Sequence, residues 1–399
     1  MPTELLVEIF GYLHPDTGLD SRASASTLNA LTQTCRLLHP IATQTLYERY
    51  HPLFHAPCQK YMWRLASDPL VRSCIKHIKV ESGELDDVDE WRPASEIRAN
   101  FEQLGALQQY EFANDTLEKE LTLLVLQAPN LESYIHHTLE ECIDPVVTKV
   151  TPSWLRPFLD IGRQVHQGIL PIQKYRNLHT VKINTQLMFD TELAYLFALP
   201  SLRRLRIILA SCKGQDEAAL RWPIAIAGTS GVHTLQLDEI SLPADVVAQM
   251  IMCCRKLVVF ECFGVSNEFE DPSSWCQKVV SALEYHGGSL TRLCLDPQPR
   301  AFMKNTGEDY KRVDGFHLLT ALESLWTPFH ILMGRPVGAT DQLHILVTIA
   351  FVKQPIDERD AFAMIATKPL TPKLQAIHDL AGQMCLQIYR SPHGDDRPI

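Results

Sequence analysis

Leu202-Arg203-Arg204-Leu205-Arg206-Ile207 and Val232-His233-Thr234-Leu235-Gln236-Leu237 share one pattern: apolar side chains at the first, fourth and sixth places, with polar ones between. The pattern recurs at Ile75-Ile78-Val80, Leu178-Val181-Ile183, Leu257-Phe260-Cys262 and Leu290-Leu293-Leu295, with weaker copies beginning at Leu131, Leu322 and Leu343. In a chain that is 46% apolar, three fixed positions coincide by chance at roughly one start in ten, so context has to decide. Four of the runs follow amphipathic stretches of helical spacing, Leu121 to Leu126, Leu193 to Leu199, Val246 to Cys254 and Trp275 to Leu283. The starts at 178, 202, 232, 257, 290, 322 and 343 lie 24, 30, 25, 33, 32 and 21 residues apart. Each interval reads as a helix, a turn and a short strand, and a series of such units predicts an α/β array of parallel strands.

The spacing is near or slightly above the leucine-rich-repeat period, and the copies resemble degenerate leucine-rich repeats. The Asn or Cys that family places three residues after the third apolar position is replaced by Gln186, Ala210, Ile240, Val265 and Gln298. The resemblance implies an irregular solenoid with parallel strands on its concave side and helices on its convex side. From Leu139 to Ile172, Pro145, Pro152, Pro157 and Pro171 interrupt the series, which predicts a helical insertion around Trp154 to Val165. The acidic run from Glu81 to Glu96 reads as a solvated loop. A last amphipathic segment, Pro372 to Tyr389, is expected to cap the array.

Ahead of the repeats, Leu5, Leu6, Ile9, Phe10 and Leu13 fall on one helical stripe, with Pro2 suited to the first turn. His14 to Ser26 breaks that helix; Leu28 and Leu31 resume helical spacing, and a third helix is expected over Arg36 to Tyr47, with Pro40 in its first turn. Three short helices bury so many large side chains poorly, so part of the stripe is expected to be a docking face.

Pro2-Thr3-Glu4-Leu5-Leu6-Val7-Glu8-Ile9-Phe10-Gly11-Tyr12-Leu13 followed by Leu28-Asn29-Ala30-Leu31-Thr32-Gln33-Thr34-Cys35-Arg36 resembles an F-box. Met1 stands where that family usually has a leucine, and the link between the first two helices is longer than usual. The bridge Leu46-Tyr47-Glu48-Arg49, leading to Asp68-Pro69-Leu70-Val71-Arg72-Ser73 and the run from Ile75 to Val80, is similar to that of fungal F-box proteins. The resemblance implies an adaptor of an SCF ubiquitin ligase in which Pro2, Leu5, Leu6, Ile9, Phe10, Cys35 and Leu38 face the Skp adaptor of the cullin-type assembly. The resulting organisation is an F-box over residues 1–50, a linker over 51–70, repeats over 71–352 with the insertion near 139–172, and a cap and tail over 353–399. A repeat-based interaction scaffold with no part in ubiquitination is the alternative.

The net charge of -10 argues against general nucleic-acid binding. Eleven cysteines with no C-x-x-C spacing read as reduced thiols. With no secretory pattern at the start and no apolar run near the roughly 20 residues of a bilayer span, the cytoplasm or nucleus is the expected compartment. Chemistry is not expected: Gly228-Thr229-Ser230-Gly231 only approaches a nucleophile elbow, His51, His55 and Cys58 lack a fourth metal ligand, and no phosphate-loop fingerprint occurs. Neither an enzyme nor a cofactor is implied.

Function is expected on the strands instead. Residues at the third and fifth places of each copy project away from the core. Among them Lys79, Lys182, Arg204, Arg206 and Arg292 face one acid, Glu261. An acidic or phosphorylated target is the expected partner, with Lys182, Arg204, Arg206 and Arg292 as charge partners and Trp326 as a flat anchor.

Overall fold

The computed structural model describes residues 3–13, 21–50, 64–65, 67–81, 116–137, 152–169, 174–184, 191–208, 210, 228–265, 272–297, 313–328 and 344–347. His51, His55 and Cys58, the acidic run beyond Glu81 and the expected C-terminal helix lie outside these residues. The chain is α/β and divides into two compact units, one of Met1–Asn184 with Leu199–Leu202 and one of Thr185–Ala198 with Arg203–Ile399.

The first unit opens with helices α1 (Thr3–Tyr12), α2 (Ser21–Thr32) and α3 (Leu38–Tyr47). The expected single stripe on α1 splits in two. Leu6 and Phe10 are buried against Ile41 and Ala42 of α3, with Leu13, Leu31 and Leu38 packed around them. Leu5 and Ile9 stay exposed, because a step of one residue turns a helix by about 100° and five residues in that spacing cover more than one packing face. Pro40 falls in the first turn of α3, where its missing N–H is harmless. Helix α2 begins at Ser21, earlier than expected, since Ser and Ala carry no apolar signal for it.

Strand β1 (Arg49–Tyr50) leads on to helix α4 (Pro69–Cys74), strand β2 (His77–Glu81), helix α5 (Thr116–Gln127), strand β3 (Ser133–His137), helix α6 (Arg156–His166) and strand β4 (Thr180–Asn184). Asp68 caps α4, its carboxylate accepting the Leu70 N–H at 2.9 Å, with Pro69 in the first turn. The four strands pair in sequence order and all in parallel. Their inward residues Ile78, Val80, Tyr134, Val181 and Ile183 are fully buried. The sixth place after Leu131 is His136, also buried, which stacks on Trp154 at 4.3 Å. Trp154 and Phe158, both from the stretch read as an insertion, each lie 5.3 Å from the Tyr134 ring, so that stretch belongs to the core. Tyr175 takes a left-handed backbone (φ 57), unfavourable for a bulky residue, and its buried hydroxyl donates to the Val125 carbonyl at 2.8 Å, holding it there.

The second unit begins with a 3-10 segment, Thr191–Ala198, and carries strands β5 (Arg204–Ile208), β6 (Thr234–Asp238), β7 (Val259–Val265), β8 (Arg292–Pro297) and β9 (Ser324–Pro328). These five pair in parallel, in sequence order. Helix α7 (Ala244–Cys253) lies between β6 and β7 in the chain and α8 (Pro272–Leu283) between β7 and β8. Strand β10 (His344–Val347), from the weak copy at Leu343, pairs antiparallel with β9 and so departs from the parallel expectation.

One hydrogen-bond device repeats in both units. The carbonyl just before a strand accepts two successive N–H groups from the entry to the next strand: Glu48 O from Lys76 and His77, Lys76 O from Glu132 and Ser133, and Glu132 O from His179 and Thr180. In the second unit Arg203 O serves His233 and Thr234, His233 O serves Val258 and Val259, Val258 O serves Thr291 and Arg292, and Thr291 O serves Glu323 and Ser324. The shared acceptors fix register, and with it Leu205, Leu235, Phe260, Leu293 and Leu325 form one inward row.

His286 stitches this core. Its Nδ1 accepts the Leu257 N–H at 3.3 Å and its Nε2–H donates to Ile251 O at 3.1 Å, an arrangement that needs the neutral ring. Burial lowers its pKa, partly offset by the bond to Ile251. Next to it, a Cβ on Gly287 would collide with the Leu318 carbonyl, so only glycine fits there.

Two measurements check these packing arguments. The His286 contribution is fully present above the ordinary histidine pKa of about 6.5 and is lost as pH falls through the lower folded-state value. Urea stability should therefore drop between pH 7 and 5, and drop less steeply in His286→Gln; equal slopes would refute the role of the ring. Thr327, in an inward slot, buries a hydroxyl with no hydrogen-bond partner, so Thr327→Val should raise stability by about 1 kcal/mol, read as a higher urea midpoint.

Candidate functional site

Two surfaces of the chain are candidates for binding, and the first is on α1. Leu5, Ile9 and Tyr12 sit at i, i+4 and i+7 and are 48%, 47% and 67% exposed. This line runs beside the buried Leu6 and Phe10, with Glu4 and Glu8 on its far side. Leu37, at the turn into α3, is exposed as well. Single exposed leucines are ordinary; three large side chains in one helical line form an apolar strip of the kind that partners cover.

Of the residues expected to face the Skp adaptor, Leu5, Ile9 and Cys35 are exposed. Leu38 is half-buried against the three-helix core. Leu6 and Phe10 are corrected to core residues, because their i, i+4 face meets Ile41 and Ala42. Pro2 lies outside the described residues. Tyr12 and Leu37 were missed, although the i+7 spacing from Leu5 to Tyr12 is visible in the sequence.

The second surface is the outward face of the strands. In β5 the exposed Arg204 and half-buried Arg206 alternate with buried Leu205 and Ile207, and β6 repeats the alternation. In-register pairing aligns Arg206, Gln236, Glu261, Cys294 and Trp326 in one row. Across this row the side chains pair among themselves. Arg206 forms an ion pair with Asp238. Glu261, with its side chain only 7% exposed, takes the Arg292 Nε–H at 2.7 Å on one oxygen and the Gln236 amide on the other. Trp326 is half-buried, its ring 5.4 Å from that of Phe263. Cys294, expected to project, is buried.

The expectation of a strongly basic strand face is corrected accordingly. Arg206 and Arg292 already have carboxylate partners, and Asp238, at the seventh place of its copy, adds an acid that counting only third and fifth places leaves out. Arg204, Arg206, Arg292 and Trp326 belong to the second unit, whereas Lys182 belongs to the first, in register with Ile135 and Lys79.

At the strand entries of the first unit, charge alternates. Lys76 Nζ lies 3.5 Å from Glu48 and 3.9 Å from Glu132, and His179 Nε2 lies 3.9 Å from Glu132. Such half-exposed pairs contribute at most about 1 kcal/mol each. The His77 Nδ1 is 2.8 Å from Ser133 Oγ, and burial, then the Arg49 charge, lower the His77 pKa.

No protein-family model matches the chain, and no curated protein matches it. Among the described residues, no group of three or more His, Cys, Asp or Glu is placed to hold a metal ion, and no helix is long and apolar enough to cross a membrane. The Gly228-Thr229-Ser230-Gly231 stretch is a turn entering the β6 copy.

Because Glu261 is buried, removing its cation leaves a desolvated carboxylate. Arg292→Ala should cost about 1–3 kcal/mol, and Glu261→Ala/Arg292→Ala should cost less than the sum of the single changes in a urea double-mutant cycle. Additive costs would mean that the pair contributes nothing.

Proposed function

We propose that this chain is a substrate-recognition adaptor of an SCF ubiquitin ligase, binding the Skp adaptor through its first fifty residues and a target protein through its repeats. The observation that carries the reading is the apolar line Leu5, Ile9 and Tyr12, left exposed on a three-helix unit whose own core is closed by Leu6, Phe10, Ile41 and Ala42. The F-box resemblance of residues 1–50 supplies a partner for that line. The buried first, fourth and sixth places, the parallel pairing and the shared entry carbonyls support a leucine-rich-repeat-like solenoid for the remainder.

Such an adaptor works without chemistry of its own. It holds a target near a charged conjugating enzyme, raising effective concentration and setting orientation. A scaffold with no link to ubiquitin transfer remains the second reading, since an exposed apolar line also suits another partner.

Co-expression of the full chain with the Skp adaptor separates the two. The wild type should co-purify, and Leu5→Asp/Ile9→Asp should weaken the complex by at least about 30-fold, the equivalent of losing one 2 kcal/mol anchor, with an unchanged melting temperature. Phe10→Ala should instead lower the melting temperature. No complex with the wild type, or an undiminished one with the double variant, would leave the scaffold reading in its place.

A further inference from the structure

Three strand entries of the first unit bring a carboxylate, an imidazole and a hydroxyl into line. Glu48 stands just before β1, His77 opens β2 and Ser133 opens β3, all within Met1–Asn184. The shared carbonyls set their spacing: Glu48 O accepts the His77 N–H at 3.0 Å and Lys76 O the Ser133 N–H at 3.0 Å. Pairing places His77 directly opposite Ser133, so both side chains leave the sheet on one face. Ser133 Oγ lies 2.8 Å from His77 Nδ1. With the hydroxyl donating to Nδ1, the ring carries its own proton on Nε2, 4.0 Å from Glu48 Oε1. That is an ion-pair distance, at which the carboxylate favours a charged ring. Burial, then the Arg49 charge, lower the His77 pKa against the pull of Glu132 and Glu48, so the ring is neutral at pH 7 and ready to accept a proton. All three side chains are half-buried, within reach of solvent.

We propose that Ser133 and His77 act as nucleophile and general base in the hydrolysis of small carboxylic esters, with Glu48 as a positioning residue. A serine hydroxyl is a weak nucleophile until a base within hydrogen-bond reach takes its proton, and the Ser133 contact meets that condition. Ser133 Oγ bonds to the acyl carbon as its proton passes to His77 Nδ1, and the alkoxide leaves with that proton. Water, deprotonated by the same nitrogen, then cleaves the acyl-serine, releases the carboxylic acid and restores the hydroxyl. Glu48 stabilises the charged ring between the two transfers. A half-exposed lip of three strands suits a short acyl group such as acetyl. The activity goes beyond the adaptor reading and does not rest on it.

The test treats the full chain with p-nitrophenyl acetate and, separately, with a phosphonofluoridate probe, and locates the modified residue by peptide mass spectrometry. Both groups should appear on Ser133. Ester hydrolysis should fall at least about tenfold in Ser133→Ala and in His77→Gln, with unchanged melting temperatures, and His179→Gln should leave it unchanged. The rate should rise with pH as the ring loses its proton. Its midpoint should move to lower pH in Glu48→Gln and to higher pH in Lys76→Met, because Glu48 favours the charged ring and Lys76 opposes it; a purely structural contact would move neither. Should Ser133→Ala unfold the chain, Ser133→Cys takes its place and should carry the acetyl group on its sulfur. Acetylation confined to lysines or other histidines, a folded Ser133→Ala or His77→Gln with the wild-type rate, or a pH midpoint indifferent to both charge changes would overturn the proposal. Acylation of Ser133 in a chain that makes no Skp complex would remove the adaptor reading alone, and the converse result would remove the esterase alone.

Discussion

A single backbone carbonyl shared by two N–H groups of the following strand entry, found at seven entries, is the constraint on which the rest depends. It leaves no freedom for a strand to slide, and a slip of one residue would turn every inward side chain outward. With register fixed, inward positions align into largely apolar rows and outward positions into largely polar ones, in each unit taken by itself. The helices and 3-10 segments between strands then have only to cover the apolar rows, which is why a regular α-helix, a 3-10 segment or the aromatic residues Trp154 and Phe158 serve equally well.

The same alignment governs the electrostatics. Outward side chains one strand apart are close neighbours, so Arg206 reaches Asp238 and Arg292 reaches Glu261 as a result of register. The strand face thereby neutralises much of its own charge. A face that a residue count makes basic thus carries two internal ion pairs.

Much of this was legible in the sequence, and the gaps have identifiable causes. The apolar first, fourth and sixth places announced the strands because burial demands them at fixed spacing, and even His136 and Thr327 occupy the slots that the spacing assigns. The pairing of Glu261 with Arg292 was hidden, since it joins residues thirty-one apart (292 less 261) and depends on which strand lies beside which. On α1 the period showed which residues were apolar but could not say which of two adjacent faces the third helix would cover; that was decided by Ile41 and Ala42.

The antiparallel course of β10 has a bearing on solubility. A row of parallel strands presents, at its last member, an unpaired edge that could recruit a further parallel strand from another molecule. Here β9 is met by a strand running the other way, whose hydrogen-bond geometry differs from that of the array it closes. The β9 edge is thereby already occupied, and a further parallel strand cannot add directly to it.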